Sequence, residues 1–145
     1  MGATNFDEYR DVFVVADTID DVVHPVTYEL IGQARRIAKE LGQLVQVMLL
    51  GENVQAEAEE LVAHGADIVH VFESPLLKYY TTDGYTKVLT DFFEDHKPNI
   101  LLIGATNNGR DLAPRMSGRM QNGVVADCTI LTVDTEEGLV EWTRP

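Results

Sequence analysis

Two kinds of apolar pattern alternate along the chain. Short apolar runs occur at Val12-Phe-Val-Val and Asn99 to Ile103, and strands are also read over Leu44 to Leu50 and Asp67 to Phe72. Runs of this length without polar alternation mark strands buried on both faces. Between them, apolar residues return at helical spacing. From Pro25 to Leu41 they are Val26, Leu30, Ile31, Ala34, Ile37, Ala38 and Leu41, with Pro25 suited to a first turn and Gly42 to the left-handed residue past the last. A second helix is predicted over Val54 to His64, with Leu61 and Val62 inward and Glu57, Glu59 and Glu60 largely in water. A third, Asp83 to His96, turns Val88, Leu89, Phe92 and Phe93 inward. Asp17 to Asp21 reads as an acidic loop after the first strand, and Ser74 to Thr82 as a loop carrying Pro75, Tyr79 and Tyr80.

The fourth apolar run ends at Gly104, and small or polar residues lead to Gly109. Asp111 then stands where a helix N-cap is expected and Pro114 in the first turn. That helix is predicted to reach about Asn122, with Leu112, Met116 and Met120 as its buried stripe, and Ser117 and Gly118 allowing close backbone approach. Cys128 to Val133 and Leu139 to Thr143, joined across Asp134 to Gly138, read as an antiparallel hairpin. Alternation of strand and helix predicts an α/β fold: a three-layer, Rossmann-like (adenine nucleotide hydrolase-like), mostly parallel sheet of order 3-2-1-4-5 with a C-terminal antiparallel hairpin. In such a sheet the loops after strand one (Ala16 to Thr18) and strand four (Gly104 to Gly109) meet at the switch point, where ligands bind.

The spacing Gly104-x4-Gly109 invites comparison with a phosphate loop, but Arg110 replaces the lysine and Asp111 the Ser/Thr hydroxyl that would hold magnesium. Thr106, Asn107 and Asn108 can exchange hydrogen bonds at the switch point or satisfy their own turn. Arg110, Arg115 and Arg119 place three of eleven cations in ten residues. Arg115 has Asp111 four residues before it, a pairing worth about 0.3–0.5 kcal/mol when exposed. Arg110 sits in the loop, better placed to reach an anion or a partner carboxylate.

With 145 residues the chain makes one domain, and a net charge of −13 argues against a general nucleic-acid binder or an anionic membrane surface. A lone cysteine, Cys128, rules out a disulfide framework and suits a reducing compartment. There is no apolar run long enough to span a membrane, and the polar start suggests a cytoplasmic protein. His24, His64, His70 and His96 have no metal-ligand spacing, and no nucleophile–base–orienter set is visible, so no metal and no catalytic residue is expected. Asp127 beside Cys128 would raise the thiol pKa, which favours an inert thiol.

The stretch Leu101-Leu-Ile-Gly-Ala-Thr-Asn-Asn-Gly-Arg-Asp-Leu-Ala-Pro-Arg115, with Val125-Ala-Asp-Cys-Thr129 and Val140-Glu-Trp-Thr-Arg-Pro145, resembles the amino-terminal domain of the electron-transfer flavoprotein alpha subunit. Leu30-Ile-Gly-Gln-Ala-Arg and Lys39-Glu-Leu-Gly42 are similar to that family too, so the resemblance covers essentially the whole chain. It implies an electron carrier, not an enzyme, built as a heterodimer with a beta subunit and carrying FAD. Such a carrier takes electrons from acyl-CoA dehydrogenase-type flavoenzymes, or joins in electron bifurcation in some anaerobes. The principal FAD belongs to a carboxy-terminal domain. The chain stops at Pro145, so the expectation is a fragment, residues 1–145, that lacks the FAD domain, binds no cofactor alone and acts as a scaffold for the beta subunit. In bifurcating members a second flavin and a nicotinamide nucleotide lie near the interface with beta, which makes Gly104, Thr106, Asn107, Asn108, Gly109 and Arg110 the candidate contacts. The alternative is a free-standing adenine-nucleotide-binding domain of universal-stress-protein type. The glycine spacing of that family's loop is absent, since Gly104, Gly109 and Gly118 are separated by four and eight residues and Arg119 follows.

Overall fold

The computed structural model describes residues 10–119, 129–134 and 138–143. In chain order the elements are β1 (Val12–Val15), β2 (Thr18–Ile19), β3 (Val22–Val23), α1 (Pro25–Leu41), β4 (Val45–Gly51), α2 (Gln55–Ala63), β5 (Ile68–Glu73), a 3-10 turn (Pro75–Leu77), α3 (Thr82–Asp95), β6 (Ile100–Gly104), α4 (Asn107–Arg119), β7 (Thr129–Asp134) and β8 (Gly138–Thr143). The main sheet runs β5-β4-β1-β6-β7-β8. Every pairing is parallel except β7 with β8. Counted over the long strands this is the expected 3-2-1-4-5 order, with the hairpin's second strand added at the edge. Cys128 and Met120 lie outside the described residues.

β1 is the centre. All four of its residues are buried, and alternation sends them to opposite layers. Val12 and Val14 join α1, Val54 and Leu61 in one core, together with Val47, Leu49 and Leu102. Phe13 and Val15 join Leu89, Phe93, Leu112 and Met116 of α3 and α4 in the other. Helices therefore cover both faces, as the unbroken apolar runs require.

The ends of α1 are set by local chemistry. His24 Nδ1 accepts from the Val26 N–H at 3.0 Å, Pro25 opens the first turn, and Gly42 stands at φ 67° with its N–H returned to Ala38 and Lys39 carbonyls. Elsewhere the sequence expectations need correction. Val62 is 53% exposed, and the inward residues of α2 are Leu61 and the half-buried Ala58, because a helix only nine residues long turns a narrow stripe to the sheet. Glu57 is not simply in water, since its carboxylate accepts from the Val23 N–H at 3.1 Å. Val88 and Phe92 are half-buried rather than core, whereas Leu89 and Phe93 are fully buried.

The acidic loop after β1 is a small hairpin, β2 against β3. Its turn residues Asp20 and Asp21 stand at φ 54° and 65°. Two consecutive left-handed residues are what a tight hairpin turn demands, and Asp tolerates them better than most residues. The hairpin is tied down from outside. The Asp21 carboxylate accepts from Glu52 N–H at 2.9 Å and Asn53 N–H at 3.2 Å, and Thr18 Oγ1 donates to the Leu50 carbonyl at 3.1 Å.

Candidate functional site

β1 and β6 are adjacent and parallel, so the chain leaves their carboxyl ends side by side, toward opposite neighbours. This is the switch point of the sheet. The two exits touch as expected, for the Thr106 hydroxyl donates to the Asp17 carboxylate.

Thr106, not Asp111, caps α4. Its Oγ1 accepts from Gly109 N–H at 3.1 Å and its carbonyl from Arg110 N–H at 2.8 Å. Asp111 and Pro114 therefore lie inside the helix, past the turn where each was expected. The nearer hydroxyl wins because it sits three residues before a free N–H, the spacing an N-cap needs. Consequently Asn107, Asn108, Gly109 and Arg110 belong to the first helical turn rather than to a loop. The N–H groups of Asn107 and Asn108 precede any intrahelical carbonyl they could reach.

Gly109 has a structural reason. A Cβ there would lie 1.8 Å from the Gly104 carbonyl oxygen, so only glycine lets α4 start this close to β6. Gly104 faces Val26 of α1, whose methyl carbons would stand 3.1 and 3.3 Å from an added Cβ. Gly118, by contrast, has open space around it and makes no close approach, while its neighbour Ser117 is buried.

Two adjoining hollows result. A wide groove of about 500 Å³ is lined by Asp17, Ile19, His24, Ala105, Thr106, Asn107, Asn108 and Arg110. Beside it, a narrow apolar slot lies among Val15, Ile103, Gly104, Leu112, Tyr80 and Tyr85. Of the six sequence-proposed residues, Thr106, Asn107, Asn108 and Arg110 line the groove, and Gly104, Asn108 and Gly109 line the slot. Arg110 also donates from Nε to the Ala105 carbonyl at 3.2 Å.

Two groove residues, Ile19 and His24, were missed from sequence, and Asp17 lay in the named exit without being singled out. Asp17, His24 and Ile19 arrive from the first crossover, and their signal was the switch-point rule itself, which names both exits. Asp17 sits between the N-termini of α1 and α4: its N–H donates to Thr27 Oγ1 at 3.0 Å, and its carbonyl accepts from His24 N–H at 2.7 Å. A carboxylate beside two positive helix ends is favourably placed and already supplies one negative charge there. Because His24 Nδ1 accepts a hydrogen bond, the neutral ring carries its proton on Nε2.

The slot is walled by two tyrosines with different partners. The Tyr85 hydroxyl lies 3.2 Å from the Leu77 carbonyl and 3.3 Å from Thr18 Oγ1, and burial, with Asp17 and Asp21 nearby, raises its pKa. Tyr80 donates to Asp111 at 2.7 Å, and burial foremost, then the Asp111 carboxylate, pushes it up to about 12. Both phenols are therefore neutral donors at any physiological pH. Arg115 pairs with Asp83 of α3, not with Asp111, because Asp111 is engaged by the Tyr80 and Thr82 hydroxyls. Among the described residues no group of three or more metal-ligating side chains converges, and no helix is long and apolar enough to cross a membrane.

Donors on one wall and a carboxylate on the other can hold a ligand that offers both acceptor and hydroxyl groups.

Comparison with known proteins agrees with this architecture. The model of the electron transfer flavoprotein domain matches residues 12–145. The chain is 45% identical over 138 residues to the electron transfer flavoprotein subunit alpha of Megasphaera elsdenii, an alignment covering 95% of this chain and 41% of that protein. It is 45% identical over 133 residues to the lactate dehydrogenase (NAD(+),ferredoxin) subunit LctC of Acetobacterium woodii, covering 92% of this chain and 32% of that one. The chain thus spans well under half the length of these relatives. Among solved structures, a macrolide-efflux protein from Streptococcus pneumoniae superposes with a TM-score of 0.51 at 17% identity, over 91% of this chain and 48% of the other, which speaks to the fold alone. With a family model matched from β1 to the last residue and alpha-subunit relatives at 45% identity, the chain belongs to the electron transfer flavoprotein family, on the alpha-subunit side.

Proposed function

We propose that the chain serves as the amino-terminal portion of an electron-transfer flavoprotein alpha subunit. In this reading it docks a beta-type subunit and lends its switch-point groove to a flavin or nicotinamide nucleotide at their junction. The observation that carries the reading is the groove itself, where Thr106, Asn107, Asn108 and Arg110 converge at the carboxyl ends of β1 and β6. The Acetobacterium woodii relative, named as a lactate dehydrogenase (NAD(+),ferredoxin) subunit, supports the nucleotide side.

The donor set fits such a group in a particular orientation. Arg110, the Asn107 and Asn108 amides and the first N–H groups of α4 suit phosphate or carbonyl oxygens. Asp17 repels phosphate and suits a sugar or ribityl hydroxyl instead. When bound, the flavin supplies the redox chemistry; the residues of this chain bind and orient. Electron donors of acyl-CoA dehydrogenase type and the FAD of the whole carrier belong to the complete assembly.

The test is nucleotide affinity in a heterodimer reassembled with a beta-type subunit. Arg110→Ala and Asn108→Ala should each weaken binding by about tenfold, the scale of one charge-assisted contact. Unchanged affinity in both overturns the groove assignment.

A further inference from the structure

Opposite the groove, at the amino-terminal ends of β4 and β5, lies a second hollow of about 410 Å³, lined by Gly32, Arg35, Arg36, Lys39, Gln43 and Asp67. Three of the chain's eleven cations meet here, against twenty-four acidic residues in all. They leave α1 within one turn of each other, at the spacing that makes helix side chains neighbours. Arg35 is anchored: its Nη1 donates to the Gly65 carbonyl at 3.1 Å, and its Cδ lies 2.4 Å from where a Cβ on Gly65 would stand. Arg36 and Lys39 are set against no carboxylate among the described residues. Attraction to the negative end of the helix accounts for Lys39, in the last turn. Arg35 and Arg36 stand further back, where that attraction has faded.

Two further features have no use inside the chain. Gly32 stands in the middle of α1, where glycine is less stable than alanine, yet a Cβ added there would meet nothing within 4 Å. Packing does not call for a glycine. Bare helix backbone beside cations leaves room for something from outside to come close. Gln43 Oε1 accepts from the Asp11 N–H at 2.9 Å and from Asn99 Nδ2 at 3.3 Å, which fixes the amide one way round and leaves its NH2 donors unspent among the described residues. Asp67 gives one carboxylate oxygen to the Val45 N–H at 2.8 Å and keeps the other. The seven residues of β4 separate this hollow from the acidic carboxyl rim by about 23 Å, nearly three screening lengths at physiological salt. The strong net negative charge of the chain therefore does not cancel the local positive field.

We infer that this hollow is a second ligand site, separate from the switch-point groove, for a small phosphate ester that carries a free hydroxyl. Arg35, Arg36 and Lys39 hold the phosphate, with the Gln43 amide as a further donor. A doubly charged group matches three cations, where a single carboxylate would occupy one. Asp67 repels the phosphate and accepts from the hydroxyl, so the ester lies with its phosphate toward α1 and its hydroxyl toward the start of β5. The volume is within the range of small-molecule sites. The inference stands apart from the functional reading above, because it uses none of the groove residues.

The experiment titrates the 145-residue chain with ribose 5-phosphate, inorganic phosphate and unphosphorylated ribose, following backbone amide signals by NMR. Ribose 5-phosphate should shift the amides of Gly32, Arg36 and Gln43 with saturation in the low millimolar range, more tightly than inorganic phosphate, and ribose should shift none of them. The double variant Arg36→Gln, Lys39→Gln should weaken binding by at least about tenfold. Gly32→Gln fills the hollow with a good helix former and changes no charge. It should abolish binding while the circular-dichroism melt stays at or above that of the parent, so a lost fold does not explain the result. Arg119→Gln, an exposed cation on α4, should leave binding unchanged. Absence of saturable shifts, or binding that survives Gly32→Gln or falls as far with Arg119→Gln, overturns the site. Equal affinity for inorganic phosphate overturns the choice of an ester. Loss with Arg110→Ala in place of the α1 variants puts the probe in the groove and overturns the second site, leaving the functional reading standing. Saturable binding of a glutamate-rich peptide without any response to ribose 5-phosphate overturns the choice of a small ligand.

Discussion

Gly109→Ala isolates the close approach of α4 to β6. The added methyl would begin 1.8 Å from the Gly104 carbonyl oxygen, 3.0 Å from its carbon and 3.2 Å from Ile103 Cγ2. A carbon–oxygen pair settles at about 3.3 Å or more, so the first turn of the helix must lift by roughly 1.5 Å. The obstacle is backbone, which cannot rotate aside as a side chain would. Overpacking of this kind costs about 3 kcal/mol, against which the better helix propensity of alanine returns about 1. A net loss near 2 kcal/mol corresponds to roughly a 6 °C fall in Tm for a domain of this size. Gly32→Ala is the matched control, a helical glycine with nothing within 4 Å of the added carbon. It should gain about 0.5–1 kcal/mol from propensity alone. Thermal melts by circular dichroism, supported by urea midpoints, measure both. If Gly109→Ala melts at or above the parent temperature, the glycine is not needed for close approach and the account of the site's floor is wrong.

Three further outcomes follow from the same geometry. Thr106→Ala removes the cap of α4 and should cost about 1–2 kcal/mol, read as a lower urea midpoint with unchanged slope. His70 is held below the ordinary histidine value of 6.5 by burial first and by His96 second, so on acidification the unfolded chain takes up the proton before the folded one does. Stability should therefore fall as pH drops below about 6.5 and level off once the folded ring titrates, and His70→Gln should flatten that part of the profile. Asp111 is held below the usual carboxylate range by hydrogen bonds from Thr82 first, then Tyr80, with Arg115 adding to them. Its contribution is full above about pH 4 and lost as pH falls through the depressed value, so Asp111→Asn should reduce the acid-side slope of Tm against pH.

What the sequence made legible was whatever local chemistry settles. Pro25 and Gly42 bracket α1 with residues whose backbone preferences admit few other uses, and the observed helix has those bounds. That helices cover both faces followed from the apolar runs of β1 and β6, and the order of the sheet from the alternation of strand and helix. The short hairpin was not legible: two-residue strands have no periodicity, and Asp20-Asp21 stands where glycine or asparagine is the usual sign of such a turn. The partner of Arg115 was missed for a related reason. The local rule offered Asp111 one turn away, but the tertiary fold brought Asp83 from another helix and spent Asp111 on two hydroxyls. At the groove, sequence named both exits, Ala16 to Thr18 and residues 104–110, but picked site residues from the second alone, and missed His24 and Ile19, which reach the groove through a hairpin the sequence did not reveal.

The Asp21 carboxylate grips two successive N–H groups, of Glu52 and Asn53, while Glu57 reaches back to the Val23 N–H. Hairpin and α2 entrance are thus laced together in both directions, and neither can swing outward without stripping charged acceptors from the half-buried Glu52 and Val23 amides. A rim made from four strand residues behaves mechanically as an extension of the sheet. Whatever settles in the groove meets a wall whose width is set before arrival, so selectivity can be written into its spacing and not only into its chemistry.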